Sequence, residues 1–430
     1  MTLVNVRTPR QGAPGKHASR EQIALYDDMR GAVRGEVRFE SQSRGLYSQD
    51  ASNFRHPPVG VVVPRDVADV VAAVGVCRRH GVPLVSRGGG TGIGGSDINE
   101  AAVVLDHSKY LRAILQVDDR REVARVQPGA VLDELRERTA QHGLTYGPDP
   151  STHDRCTLGG MIGTNACGVH AVLSEFYGPG PRTEQNVEAL EVLTYDGTRM
   201  RVGPTSDAQY EQILRQGGRP AEIHRSLRDL RDRYGDAIRG GFPDIQRRVS
   251  GYNLQALLPE NGFDVAAALV GTEGTCATVL EATMRLSRHF PHQALLILGY
   301  EDVFRAGDDV PRVREFRPIG LEGIDDLLID YIHIKGMHAE YTELLPEGKG
   351  WLIVEFGGDS PQEAVARARD CMQSLERSAS GPSRATRRGS PRRTSPIHRT
   401  AAISRMRPCA AWAWASAAAP RAAPCVRATR

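Results

Sequence analysis

A chain of 430 residues with 40% hydrophobic and 25% charged residues, 45 Gly and 26 Pro, has room for two or three folded domains. A small disulfide-stapled domain, a coiled coil and a wholly disordered polymer are excluded. The formal charge of +3 hides two opposed parts: from Arg377 onward there are 12 Arg and no Lys, Asp or Glu, and without them the first 376 residues hold 43 basic and 52 acidic side chains, a charge of about −9. A folded part of that sign predicts no nucleic-acid partner. The seven cysteines, at positions 77, 156, 167, 276, 371, 409 and 425, have neither the paired spacing of a zinc site nor the even count of a secreted framework. They point to a cytoplasmic protein without a metal site. The first twenty residues lack the apolar core of a leader peptide, and no run approaches the ~20 apolar residues of a membrane span.

In chain order, residues 1–56 read as an N-terminal extension with a helix over 21–34. The segment GVVVPRDVADVVAAVGVCRRHGVPLVS then predicts a strand, a helix with Val67, Val70, Val71 and Val74 on one face, and a second strand over 82–86. Strands follow over 102–105 and 122–126, and a helix over 131–142. Residues 147–168 are Gly-rich and show no helical period. A strand over 190–195 turns at Asp196-Gly197 into another over 199–202, a charged helix covers 225–234, and 266–270 reads as a strand before a turn at 271–274. Strands and helices mixed in this order predict an α+β fold, not a long doubly wound sheet.

Chemistry is concentrated in three glycine clusters. Ser86 to Asp97, SRGGGTGIGGSD, leaves directly from a strand; several backbone N–H groups turned into one concavity make a nest for a pyrophosphate. A mobile surface loop is the plain alternative. No amphipathic helix follows the glycines, against a Rossmann turn, and no Gly-Lys-Ser/Thr is present, against a P-loop. The second cluster spans Gly147 to Gly168 and the third is VGTEGT at 270–275. Three such loops at strand ends suit one extended ligand held by backbone, or else three ordinary turns.

The motifs PRDVADVVAAV, RGGGTGIGG, QPGAVLDEL, PDPSTHDRCTLGGMIGTNACG, YGPGPRTEQNVEALEVLTYDG and LLPENGFDVAAALVGTEGT resemble, in that order, the FAD-binding domain of the vanillyl-alcohol oxidase and 4-cresol methylhydroxylase type. The chain is most similar to bacterial FAD-linked D-lactate and glycolate dehydrogenases, whose long members carry an iron-sulfur domain. The resemblance implies a two-lobed FAD-binding domain over 57–290, a small βαβ lobe plus a mixed-sheet lobe. It places Arg87, Gly88, Gly89, Gly90, Thr91, Gly92, Gly94 and Gly95 around the FAD pyrophosphate, and Pro128 and Gly129 near the adenosine half. Pro148, Asp149, Pro150, Ser151, Thr157, Gly159, Gly160, Gly163, Asn165 and Gly168 match the stretch along the ribityl chain and ring, and Gly271, Thr272, Glu273 and Gly274 match the Gly-x-Glu-Gly turn. Family members carry Ser-Leu-Ala-Gly-Gln where this chain has Gly92 to Ser96.

Residues 291–376 resemble the start of the family's α+β substrate-cap domain. His333 and His338 there read as surface histidines; His153 and Cys156 lie inside the second glycine cluster. The resemblance implies oxidation of a small 2-hydroxy acid by hydride transfer to FAD, with the electron acceptor unassigned. The family's Gly-His-x-Gly-Asp-Gly-x-x-His-like motif is absent from this chain, so no catalytic residue is assigned and an impaired activity is expected. Residues 377–430 read as a basic disordered tail, or as an out-of-frame translation. The single Trp codon makes Trp412 and Trp414 encode two glycines in the shifted frame, where cysteines are permitted in a run ending Cys-Pro, as in an iron-sulfur segment. On that reading the protein is an FAD-binding but catalytically inactive product of a frameshifted gene.

Overall fold

Ser19 starts the first helix: its hydroxyl accepts the Gln22 amide while the Gln22 side chain reaches back to the Ser19 amide, a capping box that opens α1 (Arg20–Ala32). The computed structural model describes residues 11–379, apart from residue 17, 337–341 and 343–344, and the backbone of 400–405. Chain contacts divide it into two units. The first comprises the chain up to Tyr146, Thr152–Cys167 and Arg182–Leu286. The second comprises Gly147–Ser151, Gly168–Pro181 and the chain from Ser287 onward.

In the first unit, β1 (Gln11–Gly12), β2 (Glu36–Arg38), β3 (Gly60–Val63), β4 (Leu84–Arg87) and β5 (Val103–Asp106) form a sheet in the order β1-β2-β3-β5-β4. Strands β3, β5 and β4 run parallel, and β2 is antiparallel to β3. Helix α2 (Ser41–Leu46) and helix α3 (Val67–His80) accompany it. Asp66 caps the start of α3, and Gly81 with φ 64° ends it, a left-handed position that glycine takes without strain. Leu25, Tyr26, Met29, Val37 and Phe39 are buried in the same core as Val62, Val70, Val74, Val103 and Leu105. Residues 20–39 are therefore part of this lobe and not an extension from it. The apolar face of α1, Leu25, Tyr26 and Met29, packs into this core, which is why the chain before residue 57 folds here.

A second sheet takes β6 (Ile114–Asp118), β7 (Val123–Val126), β9 (Val187–Leu193), β10 (Arg199–Val202) and β11 (Thr278–Arg285) in the order β10-β9-β11-β7-β6. It is antiparallel throughout; the sheet of mixed direction is the one built on β3. Around it lie α4 (Leu132–Ala140), the short β8 (Leu144–Thr145), α5 (Leu158–Thr164), α7 (Asp207–Gln216), α8 (Gly218–Gly241) and α9 (Val265–Leu269); α6 (Ala171–Tyr177) belongs to the second unit. Two sequence expectations fail here. Residues 158–164 are helical despite their glycines, because the Thr157 hydroxyl accepts the Gly160 amide and caps the turn. Residues 265–269 are helix and not strand: Asp264 accepts the Ala267 amide, and a short buried apolar run carries no period that separates the two states.

In the second unit, β13 (His292–Tyr300), β14 (Gly320–Asp325), β15 (Gly350–Gly358) and β16 (Thr400–Arg405) make an antiparallel sheet in the order β14-β15-β13-β16, preceded by β12 (Ser287–Arg288). Helices α10 (Val303–Arg314), α11 (Asp326–Lys335) and α12 (Pro361–Ala379) accompany it. Its core joins Leu296, Leu298, Val313, Val354, Phe356 and Ala368. The basic tail is thus not disordered throughout: α12 runs on to Ala379, and 400–405 pair along β13, whose outer edge offers free backbone donors and acceptors. The remainder of the tail, 380–399 and 406–430, lies outside the described residues, as does His338.

Candidate functional site

The first unit brings the three glycine loops together. The first leaves β4 at Arg87, and a Cβ at Gly88 would lie 2.0 Å from Thr157 Oγ1 while one at Gly89 would lie 2.3 Å from the Arg155 carbonyl oxygen. It therefore rests directly on the second loop. The second is bonded to the third: Gly271 N–H donates to Ile162 O and Glu273 N–H to Gly163 O, both at 2.9 Å. At Gly274 the nearest atom to an added Cβ is Ser86 Cβ, 4.0 Å away, so the third loop returns to the strand from which the first one springs.

Two kinds of glycine result. Gly88, Gly89, Gly129 and Gly159 press against protein: a Cβ at Gly129 would strike the His107 and Leu111 carbonyls, and one at Gly159 would strike Pro128. Gly94 faces open space, and Gly92, Gly163 and Gly274 are uncrowded, with a single neighbour at ordinary contact distance of 3.8 to 4.0 Å. That second set gives backbone access to something that is not the chain itself, which is what a ligand held by main-chain N–H groups requires. Beside it a cavity of about 390 Å³ is lined by Val74, Pro83, Leu84, Leu193, Tyr195 and Gly274 to Thr278.

Buried polar groups surround these loops. The Arg87 guanidinium folds back against Gly90, where an added Cβ would lie 2.5 Å from Nη2; Nη2 donates to Gln49 O at 2.7 Å, the guanidinium lies over the Tyr47 ring, and Nη1 stands 3.9 Å from Asp97 Oδ1. Burial, with Asp50 beside it, pushes the Asp97 carboxyl up to about 7 against the pull of Arg87. Asp50, despite its own burial, is held below the usual range by hydrogen bonds from Ser52 and Asp97. His107 is buried with neither ring nitrogen hydrogen-bonded among the described residues, and burial pushes it down to about 4. His153 Nδ1 lies 2.7 Å from Asp133 Oδ2, and its Nε2 is buried with no partner among the described residues.

Several expected contact residues have side chains already committed to protein. Asn165, the left-handed C-cap of α5 with φ 50°, donates from Nδ2 to Glu184 Oε2 at 2.6 Å and accepts the Glu184 amide on Oδ1. Thr157 caps α5, and Thr272 donates to Leu269 O. Pro148 to Ser151 and Gly168 fall in the second unit, where the Asp149 carboxylate is taken by His170. What these positions offer a ligand is backbone. His333 is exposed on α11, with Nε2 2.7 Å from Thr342 Oγ1. The pairs Asp50–Asp97, Arg182–Glu184 and His170–Glu355 were missed in the sequence. Only Asp97 carried a signal, as the single acid closing the first glycine motif.

Residues 58–203 match the FAD binding domain family. Over this stretch the chain is similar to that family, and FAD is its cofactor. Among curated relatives, D-2-hydroxyglutarate dehydrogenase of Pseudomonas putida is 31% identical over 353 residues, 80% of this chain and 34% of that protein. Glycolate oxidase subunit GlcD of Escherichia coli is 30% identical over 289 residues, 66% of this chain and 46% of that protein. The chain thus spans about a third to a half of the length of these relatives. Among solved structures, alkyldihydroxyacetonephosphate synthase matches with a TM-score of 0.56 at 17% identity, over 85% of this chain and 61% of that one, a likeness of fold. No helix among the described residues is long and apolar enough to cross a membrane.

Proposed function

We propose that the chain is an FAD-dependent oxidoreductase acting on a small 2-hydroxy acid, of the kind named in its D-2-hydroxyglutarate and glycolate relatives. The observation that carries the proposal is the meeting of the three glycine loops with Gly94 open and Gly92, Gly163 and Gly274 uncrowded. These backbones would hold the diphosphate and ribityl parts of FAD, and the cavity beside Gly274 would take a further part of the cofactor. Bound FAD supplies a hydride acceptor.

Oxidation at C2 also needs a group to take the hydroxyl proton. His153 suits that role better than His333, because Asp133 orients its Nδ1 and leaves Nε2 without a partner among the described residues, whereas His333 already faces Thr342. The test is anaerobic titration of the FAD-loaded chain with D-2-hydroxyglutarate, D-lactate and glycolate, followed by flavin absorbance. Bleaching by at least one acid, slowed by His153→Ala at unchanged FAD content, is the expected result. A chain that takes up no FAD, or whose flavin no hydroxy acid reduces, would overturn the reading.

A further inference from the structure

A 2-hydroxy acid brings a carboxylate, and a carboxylate entering a partly buried site needs a cation there. Such a cation stands against the junction of the second and third glycine loops. A Cβ at Gly271 would lie 3.4 Å from Asn165 Cβ, 3.3 Å from Gly251 O and 3.7 Å from Val249 O, so the segment that begins at Arg248 is packed on that junction. Arg248 donates from Nη2 to Asn253 Oδ1 at 3.0 Å and lies 3.9 Å from Glu184 Oε1. Arg182 reaches the same Glu184 oxygen at 2.5 Å. The Arg248 and Arg182 side chains are only 10% and 15% exposed.

The charges do not balance. Two guanidiniums share one carboxylate, Glu184, whose second oxygen is taken by Asn165, and Arg182 Nε is buried without a partner among the described residues. One positive charge is left over beside the glycine loops. Its cost is visible at Arg248, where burial, with Arg182 adding repulsion and Glu184 opposing, draws the guanidinium below its ordinary value. An exposed arginine pair would be screened by water; a half-neutralised pair at this depth is stabilised by an incoming anion.

We propose that Arg248, supported by Arg182, forms an anion site that takes the carboxylate of the 2-hydroxy acid, with Glu184 as the internal counter-ion that holds the two guanidiniums apart until the substrate arrives. This rests on the functional reading above and assigns its substrate-binding cation.

The experiment titrates the full FAD-loaded chain with propionate, an unreactive carboxylate lacking the hydroxyl, and follows the flavin difference spectrum. Saturable perturbation is expected in the wild type. Arg248→Gln should weaken it at least tenfold at unchanged FAD content, and Arg248→Lys should stay within a few fold. Glu184→Gln, which removes the competing carboxylate but keeps an amide for Asn165, should tighten propionate binding several fold; a purely structural cluster would give the opposite sign. Propionate binding unchanged in Arg248→Gln, or weakened in Glu184→Gln, overturns the site. A chain that holds FAD but shows no propionate response sinks the arginine site alone, whereas one that takes up no FAD sinks the functional reading with it.

Discussion

His170 and Asp149 are joined twice: the imidazole Nδ1 lies 2.6 Å from Asp149 Oδ2, and the His170 backbone N–H donates to Oδ1 at 2.8 Å. The other ring nitrogen lies 2.8 Å from Glu355 Oε2 on β15, and all three side chains are at most 3% exposed. Burial alone would strip the proton from the ring, but two carboxylates outweigh it and His170 is pushed up to about 9. The cluster ties segment 147–151 to β15 within the second unit.

Because the folded value lies above the ordinary 6.5, the stabilisation from the charged ring is fully present below about pH 6.5 and is lost as pH rises through about 9. It amounts to on the order of 3 kcal/mol at neutral pH. Thermal unfolding of the wild type should therefore fall between pH 7 and 10. In His170→Gln the melting temperature should be lower at pH 7 by several degrees and the slope should flatten, since two buried carboxylates then lack their counter-ion at every pH. Parallel wild-type and variant curves would refute the assignment.

For the cofactor, position decides which glycine is informative. At Gly89 an added side chain meets the Arg155 carbonyl, so Gly89→Asp would disturb packing whether or not FAD binds. Gly94 has nothing within 4 Å. Gly94→Asp should leave stability within about 0.5 kcal/mol and yet lower FAD retention at least tenfold, by placing a carboxylate where a diphosphate would lie. Flavin absorbance and a melting curve on the same preparation check it; full FAD content in the variant would remove the first loop from the site.

The strands and helices around the loops could be read from the sequence because β3, α3, β4, β7 and the β9–β10 hairpin each carry their own period and turn signal. Where local signals conflict, the reading failed. Glycines hid the Thr157 cap of α5, and three alanines after Val265 left helix and strand equally open until Asp264 capped one of them. The loops themselves were legible, but their meeting was not, since Gly89 and Arg155 or Gly163 and Glu273 are brought together by folding alone. The charged clusters were the least legible part: His170 and Glu355 are 185 positions apart, and no spacing rule joins them.

The chain before residue 57 gives a third prediction. Leu25, Tyr26, Met29, Val33, Val37 and Phe39 are each at most 6% exposed. Glu36, 1% exposed, accepts Tyr110 Oη at 2.7 Å and pairs with Lys109 and Arg38. At about 1.5–3 kcal/mol for each large buried side chain, their loss equals or exceeds the whole stability of a domain, about 5–15 kcal/mol. Deleting residues 1–46 should yield insoluble or protease-sensitive protein without FAD. A folded, flavin-binding product would restore these residues to the status of an extension.

Asp97 supplies the last prediction, again through pH but with the opposite cost. Its folded value of about 7 stands well above that of an ordinary Asp, raised first by burial and then by Asp50. The folded chain therefore holds a proton that the unfolded chain has already released between about pH 4 and 7. Stability relative to an untitrating side chain falls across that window and stays low above it, by about 4 kcal/mol at most. Asp97→Asn keeps the shape and the donor toward Asp50 but removes the titration. The variant should melt close to the wild type at pH 4 and above it at pH 8, although it gives up the weak 3.9 Å attraction to Arg87. If Asp97→Asn proves less stable at both pH values, the Arg87 pairing outweighs burial and Asp97 is ionised in the folded protein.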